Sequence, residues 1–342
     1  MQLLRGLSSL GPHVSPSVAT IGAFDGVHLG HQAVLEQLRE QGERWSLPTT
    51  VISFEPLPRE YLAVEDAPAR LQSLRDKLVS LRAMGVDRFV CLRFGDSMKN
   101  MSAPEFADRL FFHGLSLRAL VVGDDFRFGR EREGGFDFIR AYGETHGFET
   151  LRTRTISIDG ERVSSTRLRA ALSDGDFALA ERLLGRPFEL SGRVAYGKQL
   201  GRQIGVPTAN ISLRRATVPV SGVFSVRVSG GGLTREPAIA NVGTRPTVDA
   251  GSRANLEVHI LSGDHELYGE RLSVSFEQKL RDEKRYDSFE LLKAQIYADI
   301  EQARGWFNHS SIDAIPGTSR NTDTNTGTNT VSPTDAPGPM SE

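Results

Sequence analysis

The chain has 342 residues, 39% of them hydrophobic, with 41 Lys and Arg against 43 Asp and Glu. That length accommodates two domains of ordinary size, and the net charge of −2 excludes the basic footprint that grips nucleic acid or an anionic membrane. The single cysteine, Cys91, excludes an internal disulfide framework, and with no apolar leader or membrane-length run the expected address is the cytoplasm.

In chain order, VATIGAF (18–24) and TTVISF (49–54) read as buried strands, with HQAVLEQLREQGERW as a helix between them. That β-α-β unit predicts a parallel sheet. Leu71, Leu74, Leu78 and Leu81 mark the face of a next helix, with Gly85 as its C-cap. DRFVCLRF and RALVVGDDF (118–126) read as further strands. Between them, Ser102 and Glu105 form a capping box for a helix through Phe111. Residues 1–186 are therefore expected to be a Rossmann-like α/β nucleotide-binding domain. Near LLGRPFELSGRV (183–194) Gly and Pro become dense, and VFSVRV, PAIANVG, LEVHIL and RLSVSFEQ follow at the spacing of a small barrel. Asp287 and Glu290 are expected to cap a closing helix, which gives a second domain over 187–307. From Asn308 the chain is rich in Thr, Asn, Ser, Pro and Gly and lacks aromatics, the composition of a disordered tail over 308–342.

The chemistry concentrates at strand ends. In GAFDGVHLGH, two rings, His28 and His31, sit where a strand gives way to a helix N-terminus. Backbone N–H groups and the helix dipole favour an anion there. Gly26 and Gly30 let the backbone approach it, and the imidazoles could stabilise charge growing on phosphorus. Alone, H-x-G-H fits two turn histidines equally well; a zinc pair lacks further ligands. GDDFRFGRERE (123–133) places carboxylates at a strand's carboxyl end, and ERVSSTRLRAAL (161–172) offers hydroxyls and arginines at another helix start. In the second domain, GRVAYGKQLGRQIGVPTANI (192–211) reads either as a glycine-rich barrel loop or as a phosphate flap without Walker spacing, in which case Thr208 and Asn210 would present oxygens to a hard cation. In LEVHIL, Leu256, Val258 and Ile260 share one strand face, and Glu257 and His259 the other. Alternation alone reads Glu257 as an exposed carboxylate; beside a ligand hydroxyl it would be a proton acceptor.

GAFDGVHLGH, FEPLPRE, GDDFRFG and RVSSTRLR, in that order, resemble the FMN adenylyltransferase module of bacterial bifunctional FAD synthetases. The flap segment, NVGTRPTV, LEVHIL, LYGERL and LRDEKRYDS resemble the riboflavin kinase signature, and the likeness spans about residues 15–305. It implies ATP-dependent phosphorylation of riboflavin to FMN, then adenylylation of FMN to FAD, with Mg²⁺ as cofactor and small molecules as the only partners of a monomer or weak homo-oligomer. His28 and His31 would stabilise the transferring phosphate. Gly22, Phe24, Asp25, Gly26 and Asp125 would line the ATP and flavin site, with Arg162, Ser165, Thr166 and Arg169 serving the phosphates. In the kinase, Gly197, Lys198, Gly201, Arg202, Pro207 and Asn241 would bind substrates. Thr208 and Asn210 would hold the Mg-nucleotide, Glu257 would be the base, and Arg281 would contact flavin or flap. Two positions depart from the family pattern: Leu57, commonly polar, and Tyr286, commonly Phe. Two rival functions remain at this point: transfer of AMP to another acceptor, and a flavin-binding protein without turnover.

Overall fold

Short, almost wholly apolar strands need cover on both faces, and the first half of the chain supplies it with helices. A computed structural model describes residues 1–197, 201, 205–213, 215, 217–245, 253–263 and 265–312. Strands β1 (Gln2–Arg5), β2 (Ser17–Ile21), β3 (Thr49–Phe54), β4 (Arg88–Leu92), β5 (Leu117–Val122) and β6 (Glu149–Arg152) form one parallel sheet in the order β1-β4-β3-β2-β5-β6. Val18, Val51, Phe89 and Val121 pack on one face with Leu38 and Leu81. Ala19, Ile52, Val90 and Leu120 pack on the other with Leu110 and Phe111. Helices α1 (Leu29–Trp45), α2 (Pro58–Leu62), α3 (Leu74–Ala83), α4 (Asp96–Lys99), α5 (Ala103–Phe106) and α6 (Phe136–His146) connect or flank the strands.

Two strands stop earlier than the apolar runs suggest. β2 ends at Ile21 because Phe24 (φ 47°), Gly26 (φ 93°) and Val27 (φ 42°) take left-handed backbone that no strand accommodates. β5 ends at Val122, before the acidic pair. Ser102 does cap the helix that follows it, but regular α-helix ends at Phe106 and a π turn continues from Ala107 to Phe112. The strand order reverses between β2 and β5, which opens a crevice at their carboxyl ends, the usual ligand position in such sheets.

α7 (Ser165–Asp174) and α8 (Phe177–Leu184) lead into a closed antiparallel barrel. Its strands are β9 (Glu189–Ala195), β10 (Ala209–Ser212), β11 (Gly222–Gly230), β12 (Leu233–Arg245), β13 (Arg253–Ile260) and β14 (Arg271–Arg281), in the order β10-β13-β12-β11-β14-β9. The sequence boundary near 187 is not a packing boundary, because Leu168, Phe177 and Leu183 share a core with Phe224, Leu256 and Phe276 of the barrel. The last helix, α9 (Phe289–Ile312), lays Ile300, Ala303 and Phe307 against Val223 and Ile239. Its cap is Ser288, whose Oγ accepts from the Leu291 N–H at 3.2 Å. Asp287, expected there, lies one residue too early. The helix also runs past Asn308, where a tail was expected, because Pro and Gly enter only at Pro316 and Gly317. The rest of that expected tail, 313–342, lies outside the described residues.

Candidate active sites

At the crevice, His28 is the N-cap of α1: its Nδ1 accepts from the His31 N–H at 3.3 Å. A neutral ring that accepts at Nδ1 carries its proton on Nε2. The two imidazoles stack with centres 3.8 Å apart, and Phe24 lies 4.9 Å from His31. A side chain at Gly30 would press on the His28 ring at 3.1 Å, so the residue between the histidines has to be small. Burial, reinforced by nearby Arg162, Arg169 and Arg186, lowers the His28 pKa to about 4. Burial and the neighbouring His28 and Lys77 push His31 well below the usual imidazole value. Both rings are therefore neutral hydrogen-bonding groups at neutral pH. They open on a cavity of about 510 Å³ that is also lined by Gly22, Phe24, Asp25, Asp125, Arg162 and Ser165, together with Thr166 and Arg169.

Several of these residues already have protein partners. Asp25 is 1% exposed. Its carboxylate accepts from the Leu71 and Gln72 N–H groups at 3.0–3.1 Å and from Arg169 Nη2 at 2.6 Å. Arg169 Nε also donates to the Ala69 carbonyl, and Ser165 Oγ to the Asp25 carbonyl. Asp25 and Arg169 thus brace the loop as well as bordering the cavity. Gly26 faces away from it: a Cβ there would meet Leu71 Cδ1 at 2.9 Å, and its carbonyl accepts from Arg186 Nη2 at 2.8 Å. Asp125 is largely exposed, 3.9 Å from Arg162. Leu57 is buried at the start of α2, where its backbone N–H donates to Glu60 Oε2 at 2.9 Å.

Sequence reasoning missed three residues that hold the loop. Lys77 Nζ donates to the Ala23 carbonyl at 2.6 Å. Gln32 Nε2 bridges the Val27 and Leu184 carbonyls. Arg186 reaches the Gly26 and Val27 carbonyls from the inter-module segment. A lysine inside a leucine-periodic helix was the available signal for the first.

In the barrel, strand register brings distant motifs together. Asn210 pairs with Glu257, Glu257 with Asn241, Asn241 with Val223, and Val223 with Arg281. Directly opposed residues share a sheet face, so one row crosses β10, β13, β12, β11 and β14. Leu256 and Val258 point inward and are buried, which leaves Glu257 and His259 on the outer face. Asn255 Nδ2 donates to Glu257 Oε1 at 2.8 Å. Pro207, Thr208 and His259 line an adjacent groove of about 700 Å³, with the Pro207 carbonyl 2.8 Å from His259 Nδ1. Asn210, Glu257, Asn241 and Arg281 do not line that groove. Arg281, at the β14 end of the row, is held by Asp299 of α9, with Nη2 to Oδ2 at 2.7 Å. Gly197 has to be glycine because a Cβ would collide with the Asn210 amide; at Gly201 it would collide with the Val206 carbonyl. Lys198 and Arg202 lie outside the described residues.

A stacked histidine pair at the switch point of a parallel sheet, joined to a barrel with a carboxylate-amide row, defines a two-module nucleotide-handling transferase. The family model for FAD synthetase matches residues 12–167, and that for riboflavin kinase matches 184–307. A bifunctional riboflavin kinase/FMN adenylyltransferase from Pseudomonas fluorescens is 50% identical over 304 residues, 89% of this chain and 97% of its own. The protein of that name from Escherichia coli K12 is 47% identical over 308 residues, 90% of this chain and 98% of its own. A solved structure described as a macrolide-efflux protein from Streptococcus pneumoniae matches with a TM-score of 0.74 at 29% identity, covering 90% of this chain and 100% of that one. Among the described residues, no helix is long and apolar enough to cross a membrane. The chain belongs to the bifunctional riboflavin kinase/FMN adenylyltransferase family. It converts riboflavin to FMN and FMN to FAD, using ATP.

Proposed function

We propose that AMP transfer takes place at the His28–His31 cavity of a module over 1–186, and riboflavin phosphorylation on the outer face of a barrel module over 187–307. The observation that carries the first assignment is the stacked, neutral histidine pair in one cavity with Arg162, Ser165, Thr166 and Arg169. The FMN phosphate oxygen attacks the ATP α-phosphorus, the bond to pyrophosphate breaks, and the imidazole N–H groups stabilise the charge that grows between them. In the barrel, Glu257 takes the proton of the ribityl hydroxyl as its oxygen attacks the ATP γ-phosphorus. Thr208 and Asn210 fit a hard cation: Asn210 Oδ1 is buried and, among the described residues, accepts no hydrogen bond. When bound, Mg²⁺ would neutralise phosphate charge. The protein works on small molecules in the cytoplasm, as a monomer or weak homo-oligomer, and its one free, half-buried cysteine suits a reducing compartment.

The test is one assay run twice per sample, from riboflavin and from FMN. His31→Ala should lower kcat for FAD formation by about 10²–10³ and leave FMN formation near wild type. Normal FAD formation would remove the histidines from the chemistry.

A further inference from the structure

Lys77 is 2% exposed, on the face of α3 that packs beneath the sheet's carboxyl edge. Burying a lysine is costly unless its nitrogen is used. Its partners are the Ala23 carbonyl at 2.6 Å and Ser53 Oγ at 3.4 Å; Ser53 Oγ also donates to the same carbonyl at 3.2 Å. Ala23 and Phe24 both line the histidine cavity. In a trans peptide the carbonyl and the following N–H point in opposite directions. With the Ala23 carbonyl drawn to Lys77, the Phe24 N–H points the opposite way, on a residue that lines the cavity. Among the described residues no protein group accepts from that N–H. Phe24 also holds a left-handed φ of 47°, which a phenylalanine keeps only when its surroundings impose it.

We infer that Lys77 is a positioning residue for adenylyl transfer: it anchors the Ala23 carbonyl so that the Phe24 N–H meets a phosphate oxygen of the nucleotide. The inference rests on the reading that the His28–His31 cavity takes the nucleotide. Burial pulls the Lys77 ammonium below its usual range, with Arg70 adding to this and Asp25 and Glu55 opposing it. Nζ donates a hydrogen bond in either protonation state. The next residue back, Asp76, is gripped from the barrel by Ser191 Oγ at 2.6 Å and Arg271 Nη2 at 2.9 Å, so the helix that carries Lys77 is braced from both sides.

The experiment compares Lys77→Met, Lys77→Arg and His31→Ala in the full chain, each assayed well below its own melting midpoint, so that loss of fold is separated from loss of turnover. FAD formation is followed from supplied FMN with both substrates varied. Lys77→Met should lower kcat by about 10- to 100-fold, the scale of a misplaced binding group, with the KM for FMN changed less than about twofold. Lys77→Arg, which can still donate to the carbonyl, should recover most of the loss. FMN formation from riboflavin should stay within about twofold of wild type in both variants. A wild-type kcat for Lys77→Met, or Lys77→Arg no better than Lys77→Met, overturns the inference. If His31→Ala is also fully active, the reading of the cavity falls with it; if only His31→Ala is impaired, the role of Lys77 alone is wrong.

Discussion

Phe177 of α8 stacks on Phe276 of β14, ring centres 5.8 Å apart and planes 23° apart, and meets Phe224 of β11 edge-on at 5.7 Å. One aromatic contact therefore ties the helix pair that follows the RVSSTRLR motif into the interior of the barrel. Arg271 and Asp76 add a polar contact between the two modules, and Arg186 adds a third through the Gly26 carbonyl.

A fragment cut at 187 should lose that cover. Burying an aromatic ring is worth roughly 1.5–3 kcal/mol, so a barrel beginning at 187 should melt well below one beginning at 163. The longer fragment should bind riboflavin and phosphorylate it at the full-chain rate. Differential scanning calorimetry of both fragments checks this, and equal melting midpoints would refute the shared core.

The neutrality of His28 predicts an acid-side instability. In the unfolded chain the ring takes a proton near pH 6.5, whereas in the fold it does so only near 4. Above pH 6.5 both states are neutral and the site has no effect. As pH falls toward 4, the unfolded state binds the extra proton and is favoured by up to about 3 kcal/mol. His31 acts in the same direction. His28→Asn retains a capping oxygen and removes the titrating ring. Urea unfolding at pH 7 and pH 4.5 should show a smaller loss of stability on acidification in that variant than in wild type. Equal losses would mean that His28 titrates normally in the fold.

Much of this was legible along the chain, because glycine-histidine junctions and alternating runs are local signals. The four named barrel runs, the α/β pattern and the histidine junction all depend on spacing within a few residues. β1 was not legible: in QLLR only Leu4 is buried, and the strand forms because β4 offers an open parallel edge. Lys77, Gln32 and Arg186 were not legible either. Each acts on a backbone carbonyl supplied by another segment, and the Lys77 and Arg186 contacts cross more than 50 positions. Arg281 shows the converse. Its motif suggested a ligand contact, and only α9 reveals Asp299 as its partner.

The Asn210 amide supplies a test of the cation site that does not depend on the histidines. Gly197→Ala would drive a methyl group into that amide and displace its oxygen. FMN formation should then need several-fold more Mg²⁺ for half-maximal rate, and Asn210→Ala should show the same shift. Titrating Mg²⁺ at fixed ATP in both variants measures it, with FAD formation from FMN as the internal reference. An unchanged Mg²⁺ requirement in Asn210→Ala would exclude Asn210 as a ligand.

Glu257 carries the most exposed assumption, since alternation alone makes it an ordinary polar residue on the outer face. Its place in the row with Asn210 and Asn241 is what argues for more. Glu257→Gln keeps the oxygen that accepts from Asn255 and removes the proton affinity. Loss of a general base is typically worth about 10²–10⁴ in rate, so FMN formation should collapse by that order. Nucleotide binding should persist, because Thr208 and Asn210 are untouched. FAD formation from supplied FMN should continue, because that displacement occurs at the other module. The two starting points, riboflavin and FMN, are assayed on one sample. A wild-type rate from riboflavin would make Glu257 a surface carboxylate. Loss from both starting points, with riboflavin binding also lost, would show that the change had disturbed the barrel rather than removed a base.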